Sequence, residues 1–186
     1  FGRTLIVAVA GDVLRQDVEA IVVAANTRGV LGALYAPGLV GLRSLGGSEI
    51  EREAMVQAPL DLGAAIVTGA AGLEPRQIAA VIHAVVHQSL GDVARIDHVR
   101  RAVGATLIAA DRARLRSLAM PLLGAEADRL DADAFIAAIV EALVAALRRS
   151  TLRLDRIVIA CRFDELALVT RTAVRRARER AWPRPA

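Results

Sequence analysis

Short apolar runs bounded by turn residues recur along the chain. They predict six strands, over Thr4–Ala10, Ala20–Ala24, Ala64–Thr68, Ala80–Val86, Ser117–Leu122 and Arg156–Ala160. Stretches with helical spacing lie between them. Residues 48–58 open on Ser48 and Glu51, the S-x-x-E spacing of a capping box. Residues 92–116 read as one long helix. A further helix over 131–149 starts at Asp131 and ends in Arg148 and Arg149, charges that suit the helix dipole. An arginine-rich helix over 164–181 comes last. Strands alternating with helices predict an α/β fold: a three-layer α/β/α sandwich around a mixed, mostly parallel sheet of about six strands. We find no repeat, low-complexity segment or long linker. Residues 1–181 read as a single domain and 182–186 as a frayed tail.

Glycine and proline break this pattern at 29–47 and again at 69–75. The first cluster predicts a long loop after the second strand. Loops at the C-terminal ends of strands are where α/β sheets usually bind ligands. The second strand also ends unusually: "IVVAAN" (21–26) delivers Asn26, the only asparagine in the chain. Three strand ends then fall on one sheet edge: Asn26, "TGAAGL" (68–73) and "PLLGAEADRL" (121–130). Glycine-containing loops beside helix N-termini present outward N–H groups that suit phosphates.

Composition narrows the options. The chain has 186 residues, 55% of them hydrophobic but only 3% aromatic, so the core must be built from Ala, Val, Leu and Ile. No apolar run reaches the ~18 residues of a membrane span. The longest, 134–147, carries Glu141. The N-terminus shows no basic and apolar leader, and a lone Cys161 allows no internal disulfide, so a cytoplasmic location without membrane association is expected. Cys161 itself reads as a small core residue. All 24 basic residues are arginine, which excludes a lysine nucleophile. The overall charge of +4 is uneven: residues 1–149 carry 15 arginines against 16 acids, and residues 150–186 carry 9 against 4. Arg171, Arg175 and Arg178 share one helical face, a candidate surface for an acidic partner or for oligomerisation. His83 and His87 on one strand stand ~13 Å apart, too far to share a metal. His83 reads as a hydrogen-bonded sheet residue. No G-x-S-x-G, HExxH, Walker A or G-x-G-x-x-G segment appears, and no metal or cofactor is expected.

The ordered segments together resemble the macro domain family. "GDVLRQDVEAIVVAAN" (11–26), "LGGSEIERE" (45–53), "GAAIVTGAAGL" (63–73), "VIHAVV" (81–86) and "SLAMPLLG" (117–124) are similar to its successive motifs. The resemblance implies binding of ADP-ribose or a related nucleotide. Carried over residue by residue, Asp12 accepts from the adenine amino group, with Val13 beside it, and Asn26 bonds the distal ribose. Phe163 packs near the adenine, although core packing is the commoner use of such a residue. A turn or cap role competes for both Asp12 and Asn26. For the first phosphate loop two placements compete, 29–34 and 37–42; the second is preferred and contributes Gly38, Leu39 and Val40. The second phosphate loop contributes Gly124, Ala125, Glu126 and Ala127.

The departures from the family sit in the phosphate loops. Glu126 and Asp128 replace glycines and oppose a diphosphate. Val23 stands for the first asparagine of the family's Asn-Ala-Ala-Asn. The aspartate used by one hydrolase branch and the lysine used by another are absent. The expectation is therefore a divergent reader of ADP-ribose rather than an efficient hydrolase. The alternative is a degenerate scaffold or oligomerisation module with a silent pocket. Hydrolysis by Glu126 or Asp128 acting as base ranks third.

Overall fold

The computed structural model describes residues 2–31, 37–124, 132–149 and 152–182, with the backbone course alone for 37–40. Six strands form one sheet: β1 (Leu5–Ala10), β2 (Ala20–Asn26), β3 (Ala65–Gly69), β4 (Ala80–His87), β5 (Ser117–Pro121) and β6 (Arg156–Cys161). Their spatial order is β1-β6-β5-β2-β4-β3. Every neighbouring pair is parallel except β3 with β4. Five helices flank the sheet: α1 (Pro37–Gly46), α2 (Glu49–Val56), α3 (Ile96–Arg112), α4 (Ala132–Arg149) and α5 (Asp164–Ala181).

Strand alternation sorts the core into two layers. Ala20, Val22 and Ala24 of β2 pack with Ile82, Met120 and Ile157 under α3, α4 and α5. Ile21 and Val23 face the other way, with Val81, Ala119 and Val158, under Leu42 of α1, Ile50 of α2 and the turn residues Val13 and Leu14. A strand covered on both faces needs no polar side, which is why β2 is one continuous apolar run.

The expected sandwich is therefore present, with local corrections. The glycine cluster after β2 was expected to be a loop, but residues 37–46 form α1. Gly41 and Gly46 serve close packing rather than turns. A Cβ on Gly41 would stand 2.8 Å from Leu14 Cδ1, and one on Gly46 would stand 2.4 Å from Ile50 Cδ1. Each glycine weakens the helix by about 1 kcal/mol. Burying a leucine such as Leu42 returns about 1.5–3 kcal/mol, and Leu42 is fully buried. The capping box is also absent. Ser48 sits in a helical conformation and makes no side-chain cap. Glu51 instead accepts from Leu31 N at 3.0 Å and from the Arg43 guanidinium at 2.9 Å.

No helix among the described residues is long and apolar enough to cross a membrane.

Candidate functional site

Five parallel strands end at the same sheet edge, and their connections decide where it opens. From β2 the chain runs by way of α1, α2 and β3 to β4; from β5 it runs by way of α4 to β6, on the other side. Adjacent strands whose connections depart in opposite directions mark a topological switch point. Here the two strands also part. Their ladder consists of Ala20↔Leu118 and Ile21↔Ala119 only. Beyond it, β2 continues to Asn26 while β5 stays registered on β6 as far as Pro121↔Ala160. By the general rule for open α/β sheets, such a switch point leaves a crevice outside the strand ends, here between Asn26 and the Leu122–Gly124 turn.

Asn26 is nearly buried, at 3% exposure. Its Oδ1 accepts from Arg28 N at 2.9 Å and from Val30 N at 3.3 Å, and its Nδ2 donates to Val30 O at 3.0 Å. The carboxamide therefore closes its own turn, the competing use noted from the sequence. The turn is held from outside as well. Ala25 bridges to Leu31, and the Arg43 guanidinium donates to Leu31 O at 3.1 Å. Gly29, with φ +71°, lies where a Cβ would be 2.6 Å from the Ala54 backbone.

Asp12 is half-buried at the end of β1. One carboxylate oxygen accepts from Leu14 N at 3.0 Å and caps the 3₁₀ turn Val13–Arg15. No bond to its second oxygen is found among the described residues. Val13 is buried under that turn. The bond from Gly11 N to Cys161 O, 2.8 Å, carries the β1–β6 pairing past the strands, so Asp12 and Phe163 both follow paired strand ends. Phe163 is 49% exposed, so the core role that composition favours does not hold. It occupies the N-cap position of α5, where extended backbone turns its ring outward. The Arg162 guanidinium lies 5.1 Å from the ring centroid. Arg162 was not among the expected residues, and only its adjacency to Phe163 could have suggested it.

On the other wall Gly124 is buried with φ +83°, and a Cβ there would meet Phe135 Cε1 at 2.5 Å. The turn thus presses against α4. Ala125, Glu126, Ala127 and Asp128 lie outside the described residues, as do residues 32–34 of the first alternative phosphate loop. Gly38, Leu39 and Val40 fall in the first turn of α1.

The remaining candidate chemistry is internal. His83 is completely buried and its Nε2 lies 2.9 Å from Thr68 Oγ1. Burial lowers its pKa from 6.5 to about 4, which keeps the ring neutral near pH 7. Among the described residues its Nδ1 finds no partner. Cys161 is buried 3.5 Å from Thr170 Oγ1, and burial pushes its thiol pKa up. No group of three or more His, Cys, Asp or Glu among the described residues is placed to hold a metal ion.

Comparison with known proteins follows from this geometry. An uncharacterized protein of Aquifex aeolicus is 36% identical over 116 residues, which span 62% of this chain and 67% of the relative. One from Aeropyrum pernix is 34% identical over 125 residues, spanning 67% of this chain and 62% of that protein. Among solved structures, the Trypanosoma brucei macrodomain in complex with ADP superposes with a TM-score of 0.76 at 21% identity, over 92% of this chain and 69% of that one. The same protein in complex with ADP-ribose gives 0.75, over 91% and 68%. At such identity these likenesses speak for the fold. The family model described as "Macro domain" matches residues 22–139, from the third residue of β2 into α4, and so spans both Asn26 and the Leu122–Gly124 turn. The chain belongs to the macro domain family.

Proposed function

We propose that this chain binds ADP-ribose or a related nucleotide across the β2–β5 crevice, as a reader rather than a hydrolase. What carries the reading is that Asp12 and the half-exposed Phe163 follow the ends of the paired strands β1 and β6, where we place the adenine. Asp12 uses one carboxylate oxygen for its own backbone and keeps an acceptor for an exocyclic amine. The half-exposed Phe163 ring offers a face for base stacking, worth about 1–3 kcal/mol per base. The solved macrodomain of T. brucei holds ADP and ADP-ribose, which supports the ligand class.

The proposal gives Asn26 a defined role. Both of its acceptor positions and one N–H are taken by the turn. One Nδ2 hydrogen remains, so Asn26 meets the distal ribose as a donor. Hydrolysis is left out of the proposal because the chain has no lysine and shows no counterpart to the aspartate of the family's hydrolase branches.

Calorimetric titration with ADP-ribose, ADP and ribose-5-phosphate tests the reading, and Asp12→Asn localises it. Asparagine caps a helix as well as aspartate does, so folding is retained. It replaces the free acceptor with a donor facing the adenine amine. Losing one buried hydrogen bond of about 1–3 kcal/mol corresponds to a fall in ADP-ribose affinity of at least fivefold. Ribose-5-phosphate, which has no adenine, should bind wild type and variant alike. Unchanged ADP-ribose affinity in Asp12→Asn would place the adenine elsewhere. The absence of binding at millimolar ADP-ribose would refute the proposal.

A further inference from the structure

Along the outer edge of β1, the arginine face of α5 lies beside an open strand edge. β1 terminates the sheet, and among the described residues no strand pairs with its outer side. The bonds Leu5 N to Asp155 O and Gly11 N to Cys161 O fix the parity of β1. In a parallel ladder alternate residues bond the neighbour, so 5, 7 and 9 face β6 while Ile6, Ala8 and Ala10 point their N–H and C=O groups outward. Ala8 O confirms this by accepting from Arg171 Nη1 at 3.3 Å.

A groove of about 450 Å³ runs between this edge and α5, lined by Thr4–Val9 and by Arg171, Val174, Arg175 and Arg178. The three arginines are exposed, and Arg175 and Arg178 have no carboxylate within ion-pair distance among the described residues. The acids of α5 itself are Asp164, Glu165 and Glu179. On the other face of the sheet Leu5 is 57% exposed and Val7 and Val9 are half-buried.

We propose that this edge accepts an extended peptide whose residues alternate acidic and apolar. The guest strand pairs its backbone with Ile6, Ala8 and Ala10. On one side its carboxylates meet Arg171, Arg175 and Arg178, and on the other its apolar side chains extend the Leu5–Val7–Val9 row. The spacing agrees. From Arg171 to Arg178 the helix rises ~10.5 Å, and alternate strand residues stand ~6.8 Å apart, which suits two or three carboxylates. A second copy of this chain fits poorly. Antiparallel β1–β1 pairing would set the two α5 arginine rows side by side, and β1, "LIVAVA", brings no acid to offset them. Nucleic acid would satisfy the arginines but not the outward N–H groups or the apolar row.

The test uses a fluorescent decapeptide of alternating valine and glutamate. Controls are the valine–lysine peptide, a valine–glutamate peptide N-methylated at alternate residues, and a single-stranded DNA of equal charge. Anisotropy should show binding of the first peptide only, weakened at least tenfold by Arg175→Glu with Arg178→Glu. Both positions are solvent-exposed, so the double variant should fold, and unchanged circular dichroism will verify that. Hydrogen exchange at the Ile6, Ala8 and Ala10 amides should slow when the peptide binds. Equal binding to the double variant or by the N-methylated peptide, or tighter binding of the DNA without amide protection, would overturn the proposal, as would failure of the peptide to bind.

Discussion

Replacing Asn26 by alanine tests whether its carboxamide is part of the fold before it is part of a site. The substitution removes three hydrogen bonds that close residues 26–30. Arg28 is exposed, so its N–H can bond water instead. The N–H and C=O of Val30 are less accessible and lose both their side-chain partners. At a net ~1 kcal/mol per bond the expected loss is about 2 kcal/mol. For a chain of this size each kcal/mol moves Tm by roughly 2–4 °C, so the ligand-free variant should melt about 4–8 °C lower. Asn26→Asp separates the two ends of the amide. It keeps the acceptor for Arg28 and Val30 but turns the donor into a carboxylate oxygen facing Val30 O, and should be no more stable than alanine at pH 7. The assay is thermal unfolding by circular dichroism without ligand, followed by ADP-ribose titration well below Tm. A variant with Tm within 1 °C of wild type would refute the structural role. Loss of binding in that same variant would make Asn26 a pure ligand contact.

Two further predictions concern stability alone. His83 accepts a proton near pH 6.5 in the unfolded chain but only near pH 4 when folded, so acid favours unfolding across that window. Its contribution is complete above pH 6.5, is lost as pH falls to 4, and amounts to about 3 kcal/mol at most. Urea unfolding at pH 4.5 and pH 7 should show a smaller difference for His83→Gln than for wild type, and equal differences would show that burial does not hold the ring neutral. Gly29→Ala should cost about 3 kcal/mol, because left-handed backbone and a 2.6 Å approach to the Ala54 backbone add together. Gly47→Ala, at φ +77° with open space around it, should cost only about 1 kcal/mol; similar losses in urea unfolding would remove the case for the clash.

What the sequence conveyed depended on how local the cause was. Strand and helix periodicity is local, and β4, α4 and α5 lie where the pattern placed them to within a residue or so. The glycines of 37–46 were misleading because a turn glycine and a packing glycine are the same letter. Only Leu14 and Ile50, distant partners in sequence, tell them apart. Ser48 and Glu51 have capping spacing, yet Glu51 is recruited by Leu31 and Arg43, a choice that requires α1 to be in place. The crevice itself could not be read. It depends on β5 leaving β2 after two residue pairs, a property of strand order rather than of either strand. Phe163 follows the same rule: its composition suggests core, while its place after the last strand puts it at the open edge.

The locked turn after β2 bears on how this family member would work. Asn26, the Ala25–Leu31 bridge, the Glu51 and Arg43 contacts and the close seat of Gly29 all hold residues 26–31 in one shape. A ligand arriving at the crevice therefore meets a wall already formed there and need not order it. Ordering a residue's backbone costs about 1–2 kcal/mol, so a wall of six residues set in advance removes a large entropic penalty from binding. The same rigidity limits what the wall can do. With one N–H left to offer, Asn26 can orient a ribose hydroxyl but has no free acceptor with which to take a proton from water. A pre-set donor of this kind suits recognition. For that reason the reader proposal predicts that ADP-ribose esters bind this chain and leave it unhydrolysed; release of ADP-ribose in a single-turnover assay, abolished by Asn26→Asp, would contradict that view of the turn.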